Sequence, residues 1–390
     1  MGFFSGRVGF VRLRVLQTPP PIFAPEHLER LAAWAADRYP GMPPDGVALG
    51  WVAGEHVLDT DFAPGKNIVN DTLVFELRVD SERWPAELLR AYTAIELRAL
   101  AQNNPSGFPS LRQKRQAKEA ARARLEQEAR DGRYRQRRCY PLLWERQSNE
   151  IWFCSSAASH IDRLANLLEH TFGITIEGMT AGRRAYHLAE VHARTRQVDD
   201  SAPSPFVPGI TPASVAWIAD ERNRDFLGNE FLLWLWFYTD TRGDTLPLAD
   251  RSELVLFPCQ TLTLECPRGQ TGQQTIRSDA PTRLPEARRA VQAGKLPRKL
   301  GLTLVRHDEQ YTLTLHAETL ALSGVKLPPL PEEITDPQQM RQERITQLRH
   351  LIETLDLLYD AFVQRRLARD WEQELHAMQH WLRREERRAA

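Results

Sequence analysis

Apolar residues along the chain recur with two periods, two and three-to-four, and the alternation of the two predicts an α+β protein. Residues 10–16 alternate apolar with basic, Phe10-Val11-Arg12-Leu13-Arg14-Val15-Leu16, the pattern of a half-buried strand. Pro19 to Pro21 end it. Pro25-Glu26 open a helix to about residue 38, with proline in the first turn and an acid beside the positive dipole end. Strands follow at 47–52 and 72–79, where Leu73, Phe75, Leu77 and Val79 share one face. A helix over 86–102 is broken by Asn103-Asn104-Pro105-Ser106-Gly107.

The stretch 111–130 favours helix but carries few large apolar residues. A helix without an apolar stripe stands out in solvent or lies on a partner. A buried strand over 151–154, an amphipathic helix over 160–171 and a linker over 198–212 come next. Residues 226–238 are apolar nearly all round and predict a buried helix; Trp234 and Trp236 within it would offer bases a stacking platform only if exposed. A strand over 261–265 and a short helix over 285–294 lead to a hairpin of 300–307 with 311–316 across Asp308-Glu309-Gln310. From residue 337 a long helix carries a seam of Ile345, Leu348, Ile352, Leu355, Tyr359 and Phe362; the period then slips and resumes at Leu367, Trp371, Leu375, Met378 and Leu382. Such a stripe either folds back on its own domain or pairs with a second chain.

At 390 residues the chain is long for one core. The expected organisation is an N-terminal α+β lobe over 1–180 with a basic helical arm (84–138), a second α+β lobe over 181–330 that includes the buried helix 226–238, and a C-terminal helical segment over 331–390. Four cysteines, Cys139, Cys154, Cys259 and Cys266, show no paired spacing for zinc and no disulfide framework, and read as structural. The N-terminus lacks an apolar signal core, and the most apolar run is too short to span a bilayer and carries Glu230, so a cytoplasmic protein without membrane contact is expected.

Formal net charge is zero, so any polyanion claim rests on distribution. Residues 112–138 hold eleven basic side chains against Glu119, Glu126, Glu128 and Asp131. They are Arg112, Lys114, Arg115, Lys118, Arg122, Arg124, Arg130, Arg133, Arg135, Arg137 and Arg138. Residues 41–110 hold ten acids against five bases. Lys114, Lys118 and Arg122 share a helical face that can follow a row of phosphates. The same stretch also reads as a solvated helix in which Arg122 pairs with Glu126 and Arg124 with Glu128. A second cluster includes Arg288, Lys295, Arg298 and Lys299, and two separated patches suit a groove or channel. A third group, Arg183, Arg184, His187, His192, Arg194 and Arg196, reads as solvated surface.

No phosphate loop, zinc-protease, serine-hydrolase or EF-hand string occurs. The nearest approach to catalysis is Asp71 with Glu76-Leu77-Arg78, similar to the metal-binding strand of restriction-type nucleases but with arginine where those enzymes carry lysine. The expectation is a protein without catalytic residues, metal or cofactor.

Several segments, taken in order, resemble the recombination-associated RdgC family. They are the opening strand, Gly50-Trp51-Val52, the basic stretch 111–138, Tyr140-Pro141-Leu142-Leu143 leading to the Trp152 strand, and the helix 159–173. Ala293-Gly294-Lys295-Leu296-Pro297-Arg298-Lys299-Leu300 then resembles that family's helix-end turn, ahead of a hairpin and a closing leucine-rich helix. The resemblance covers about 1–175 and 285–362; the stretch 176–260, the arginine-rich arm and the tail after 365 depart from it.

The resemblance implies a multi-lobed α+β subunit with mixed or antiparallel sheets, a basic helical arm and a long C-terminal helix. It further implies a nucleoid-associated homodimer closed into a ring, non-catalytic binding of double-stranded DNA with little sequence preference, and action on a RecA-type recombinase in recombination or replication. On this reading the DNA contacts are Arg112, Lys114, Arg115, Lys118, Arg122, Arg133, Arg135, Arg137, Arg138, Arg288, Lys295, Arg298 and Lys299. The dimer contacts are Leu348, Ile352, Leu355, Tyr359 and Phe362. Two rivals remain open: a protein-interaction module of phage or mobile-element origin that grips an acidic partner with the arm, and a metal-dependent nuclease on Asp71 and Glu76.

Overall fold

The computed structural model describes residues 2–38, 46–102, 108–207, 223–266 and 272–383. Its elements begin β1 (Val8–Val15), α1 (Pro25–Ala33), β2 (Val47–Val52), α2 (Pro64–Asn67), β3 (Ile68–Val69), β4 (Thr72–Glu82), α3 (Ala86–Gln102) and α4 (Leu111–Ala129). Then come β5 (Arg135–Glu145), β6 (Glu150–Phe153), α5 (Ala158–Phe172), β7 (Ile176–Gly178), α6 (Ala181–Val191), α7 (Thr195–Asp199), α8 (Phe226–Thr241) and β8 (Thr245–Pro247). The chain continues through β9 (Glu253–Glu265), β10 (Gln273–Arg277), α9 (Pro285–Gln292), β11 (Leu296–Arg306), β12 (Glu309–His316), β13 (Leu322–Lys326), α10 (Pro337–Arg366) and α11 (Trp371–Arg383).

The strands form one large antiparallel sheet in the order β10-β9-β11-β12-β13-β1-β6-β5-β4-β2, with β3 beside β4, β7 beside β1 and β8 beside β9. β1 joins the two halves: Val8 and Phe10 pair with Val325 and Leu322 of β13, and 11–14 pair with β6. The strand therefore draws on pairing from both the 1–180 and the 181–330 stretches.

Alternation along β1 sends Val11, Leu13 and Val15 to one face, where they join Leu73, Phe75, Leu77, Trp144 and Phe153 beneath α1 and α5. Phe10 goes to the other face, with Val74, Leu143 and Trp152, in the core that α8, α10 and α11 complete. On the polar side of β1, Arg14 is exposed but Arg12 is not. Arg12 is only 5% exposed. Its guanidinium forks onto Glu150 of β6 at 2.7 and 2.8 Å and onto Asp356 of α10 at 2.6 and 3.0 Å.

α8 is buried from Phe226 to Phe237, so Trp234 and Trp236 are core and present no stacking platform. An all-apolar helix requires cover on every side. The sheet supplies one side, through β9 and β11, and α10 and α11 supply others. The seam of α10 is that cover: Leu348, Ile352, Leu355, Tyr359 and Phe362 are at most 7% exposed. Tyr359 packs edge-on and Phe362 tilted against Phe231, with ring centroids 5.0 and 5.4 Å away, and the Tyr359 hydroxyl donates to the Ala181 carbonyl at 2.9 Å. The dimer contact expected on these five residues is thereby corrected, because their apolar surface is already spent within the chain.

Other expectations shift locally. The C-terminal helix divides at the slip in its period, into α10 and α11, which lets Trp371, Leu375, Met378 and Trp381 pack in the α8 core. α1 stops at Ala33, short of residue 38, and Ala35 bridges to Trp51 beside β2. The proposed linker is packed over its described part: Phe206 is 4% exposed, and the Ser204 amide donates to Glu230 at 2.6 Å. Its remainder, from 208, lies outside the described residues, as does the predicted break at 103–107. The β11–β12 turn is two residues long, His307 and Asp308, both at positive φ (50° and 65°).

Gly228 sits inside α8, where alanine ordinarily favours helix by about 1 kcal/mol. Here an added Cβ would lie 1.8 Å from the Ala317 carbonyl oxygen. Gly228→Ala is therefore expected to lower the thermal midpoint, and a raised midpoint would show that α8 can move off the 317 backbone.

Burial, then the charges of Lys299 and Arg298, push the His316 imidazole down to about 4. The folded state thus refuses a proton that the unfolded chain accepts below its ordinary value near 6.5. Stability should fall as pH drops from about 6.5 toward 4. His316→Gln should flatten this part of a denaturant-midpoint-versus-pH curve; an unaltered slope would assign the acid sensitivity to other groups.

Candidate nucleic-acid interface

The basic stretch is two different structures. α3 and α4 form an antiparallel helical hairpin inserted between β4 and β5, which are themselves neighbours in the sheet. Ser110 caps α4, accepting from the Gln113 amide at 3.3 Å, while the Gln113 side chain accepts from the Ser110 amide at 2.8 Å. The helix has an apolar stripe after all, made of small residues: Ala117, Ala121, Leu125 and Ala129, spaced by four, are its buried positions. Alanines let α3 approach closely, and α3 itself buries no residue completely.

Around this stripe the cations face water. Arg112, Lys114, Arg115, Lys118 and Arg122 are all exposed and make no ion pair among the described residues. The expected Arg122–Glu126 pair is not formed, whereas Arg124 does bond Glu128 at 3.3 Å and lies over the Tyr92 ring at 4.0 Å. Arg112 and Lys114 occupy the first turn, where the helix dipole disfavours cations, and Arg115 follows directly. No acid offsets them there.

The helix ends at Ala129, because Gly132 takes a left-handed conformation (φ 78°) that turns the chain into β5. The expected continuous helical arm to 138 is corrected accordingly. Arg133 lies in the turn and bonds Asp131 at 3.2 Å; Arg135, Arg137 and Arg138 lie on β5. Strand parity separates them: Arg137 reaches Asp80 of β4 at 3.7 Å, and exposed Arg138 is on the opposite face.

Glu128 latches the base of the hairpin, a role that charge counting did not reveal. It accepts from the hydroxyls of Tyr134 at 2.8 Å and Tyr92 at 2.9 Å, which, in that order, hold its carboxyl below the usual range. The sequence signal was available in the tyrosines on either side of α4, residues with an apolar body and one polar tip.

The second basic cluster does not form a patch. Arg288 bonds Asp240 at 3.2 Å beneath the Trp381 ring, and Lys295 is buried with its Nζ 3.3 Å from the Gln274 side chain. Arg298 bridges Glu265 at 2.8 Å and Glu318 at 3.0 Å. Lys299 stays exposed. Acids distant in sequence meet the two arginines and a glutamine meets Lys295, so the expected DNA contacts at Arg288, Lys295 and Arg298 are corrected to internal contacts. In the third group, Arg184 pairs with Asp356 at 3.0 Å.

Asp71 and Glu76 are not brought together. Asp71 precedes β4 and is held by Arg349 at 2.5 Å and Arg146 at 3.3 Å. Glu76, five extended residues away and hence about 16 Å along the strand, lines a cleft of about 620 Å³ with Cys139 and Arg341. Burial pushes the Glu76 carboxyl up, and burial followed by the Glu76 charge pushes the Cys139 thiol to about 12. A larger cleft of about 730 Å³ lies between the sheet and α10, walled by the paired charges of Arg12, Glu150, Arg184, Arg349 and Asp356. Among the described residues no group of three or more His, Cys, Asp or Glu side chains is placed to hold a metal ion, and no helix is long and apolar enough to cross a membrane.

No protein-family model matches the chain, and no curated protein matches it in sequence.

Glu128→Ala should speed amide exchange in α3, α4 and the start of β5 and leave β1 and β6 protected. Equal protection in the variant would mean that helix-on-helix packing alone holds the hairpin.

Proposed function

We propose that the chain binds double-stranded DNA through its phosphate backbone, with little sequence preference and without cutting it, and that the α3–α4 hairpin is the contact. One observation carries the reading. Five cations on α4, Arg112, Lys114, Arg115, Lys118 and Arg122, stay exposed and free of ion pairs among the described residues, although the protein has as many acids as bases. Glu119 and Glu126 on the same helix are exposed and form no ion pair with them among the described residues, and acids of the preceding stretch are engaged elsewhere: Asp59 bonds Lys66 at 2.9 Å, Asp71 bonds Arg349, and Asp80 bonds Arg78 at 2.9 Å.

The ordered sequence segments that resemble the RdgC family extend the proposal to a role in recombination or replication, a nucleoid setting and an effect on a RecA-type recombinase. A homodimer belongs to the same proposal, on a different surface from the one first expected. With the α10 seam internal, the most exposed large apolar side chains at the hairpin are Phe108 and Leu111, at 78% and 79%, on the residues that lead into α4. Two copies meeting there would bring their cationic rows toward one another and enclose a duplex between them.

Charge reversal of Lys114, Lys118 and Arg122 tests the proposal. Affinity should drop about equally for unrelated duplexes, and the slope of log K against log[salt] should shrink by roughly 0.9 for each phosphate that the variant no longer neutralises. Absence of duplex binding at low salt, together with retention of an acidic protein that the reversed variant releases, would replace this reading by the acidic-partner one.

A further inference from the structure

The second half of the sheet is covered on one face and open on the other. Alternate residues, among them Leu254 and Leu262 of β9, Leu300 and Leu302 of β11 and Leu313 of β12, enter the core shared with α8. α1 and α5 cover the opposite face over the first half, but no residue of β9 to β13 joins their core. On that bare face Phe257, Thr275, Arg277, Lys299, Gln310 and Lys326 are exposed.

Strand register places these side chains together. Lys299 lies between Thr263 of β9 and His316 of β12, Arg277 of β10 is opposite Thr261, and Lys326 of β13 is opposite Thr312. With strands about 4.8 Å apart, Arg277 and Lys326 stand about 19 Å from one another across the sheet. None of the three cations forms an ion pair among the described residues. The acids that share their face lie at its ends: Glu265 is held by Arg298 at 2.8 Å, and Glu253 starts β9. Between the cations the face is flat and hydroxyl-rich. The Thr263 and Thr275 hydroxyls are 3.3 Å apart, and the His316 Nε2 is 3.0 Å from the Ser323 hydroxyl. One aromatic ring breaks this polar field. Phe257 is opposite Thr303 and 41% exposed, although its strand neighbours Leu256 and Leu254 are fully buried.

We infer that the open face of β9 to β13 binds single-stranded DNA, with Phe257 stacked on a base and Arg277, Lys299 and Lys326 holding phosphates. Charge decides the class of partner, since three unpaired cations spread over a face with acids only at its ends complement a polyanion. The exposed ring decides the form. In a duplex the bases stack on one another and have no face to spare, whereas an unpaired strand offers each base to an aromatic platform. A protein partner would call for an apolar patch at the centre, where this face carries threonines. The choice of DNA over RNA rests on the proposed duplex-binding reading; the surface and its preference for an unpaired strand do not. It also gives a role to Lys299, which no acid meets.

The test measures binding of fluorescein-labelled dT20 to the full chain by anisotropy over a salt series, beside a duplex and rU20. Phe257→Ala should weaken dT20 binding roughly tenfold, Phe257→Tyr should retain it, and neither should change duplex affinity. Lys299→Gln and Lys326→Gln should each shrink the dT20 salt slope by roughly 0.7. Both are exposed positions, so loss of the fold does not confound them. Charge reversal of Lys114, Lys118 and Arg122 should leave the Phe257-dependent part of dT20 binding in place.

If dT20 binds through Phe257 and no duplex binds, the sheet face stands and the duplex reading falls. If the duplex binds and dT20 does not, the sheet face is overturned and the duplex reading stands. Binding of dT20 that Phe257→Ala and Lys299→Gln leave unchanged also overturns it, and tighter Phe257-dependent binding of rU20 overturns the assignment to DNA.

Discussion

The fold depends on Arg12. Its strand is the one that both halves of the sheet share, and its side chain reaches out of that strand to Glu150 on β6 and Asp356 on α10. Arg184 of α6 closes the network on Asp356. A buried guanidinium is tolerated because every direction of its fork is met; leaving one carboxylate out would strand a charge and cost several kcal/mol. Sheet, α6 and α10 are thus fixed relative to one another by a single constellation at the junction of the two halves. The field of Asp356 and Glu150 holds the arginine firmly in its charged form despite its burial.

Around that junction the helices divide into two kinds. α8, α10 and α11 are committed to one another: Trp234 donates to Glu374 at 3.0 Å, Arg366 bonds Glu230 at 2.6 Å, and Trp236 packs edge-on against Trp381. The α3–α4 hairpin is committed to the body at its base. Small side chains hold its helices together and Glu128 braces the foot, so its outer surface is free for work that core helices cannot do. A segment of this kind can present charge away from the body of its protein, which is how a chain of zero net charge comes to expose five cations that form no ion pair among the described residues.

Charge clusters in a sequence are therefore unequal evidence of function. Arg288, Lys295 and Arg298 belong to a run of basic residues just as Lys114, Arg115 and Lys118 do, but they lie on elements that fold against Asp240, Gln274, Glu265 and Glu318. What distinguishes the two sets is whether the third dimension brings a polar partner. Arg137 and Arg138 make the point within two residues, since strand parity gives one of them Asp80 and leaves the other on the opposite face.

Local periodicity by itself determined most of the elements. The alternation of 72–79, the all-apolar run 226–238, the proline-started helices and the 86–102 and 111–130 helices were legible because backbone hydrogen bonding and side-chain spacing act over a few residues. The α4 row was legible for the same reason. What tertiary structure decided was everything that depends on partners far away in the chain. A seam such as Leu348 to Phe362 has the same spacing whether it meets a second copy or α8. Arg12 of β1 looks solvated until Asp356 arrives from 344 residues away. Period and propensity are properties of neighbours in sequence; burial and pairing belong to neighbours in space, and only folding says who they are.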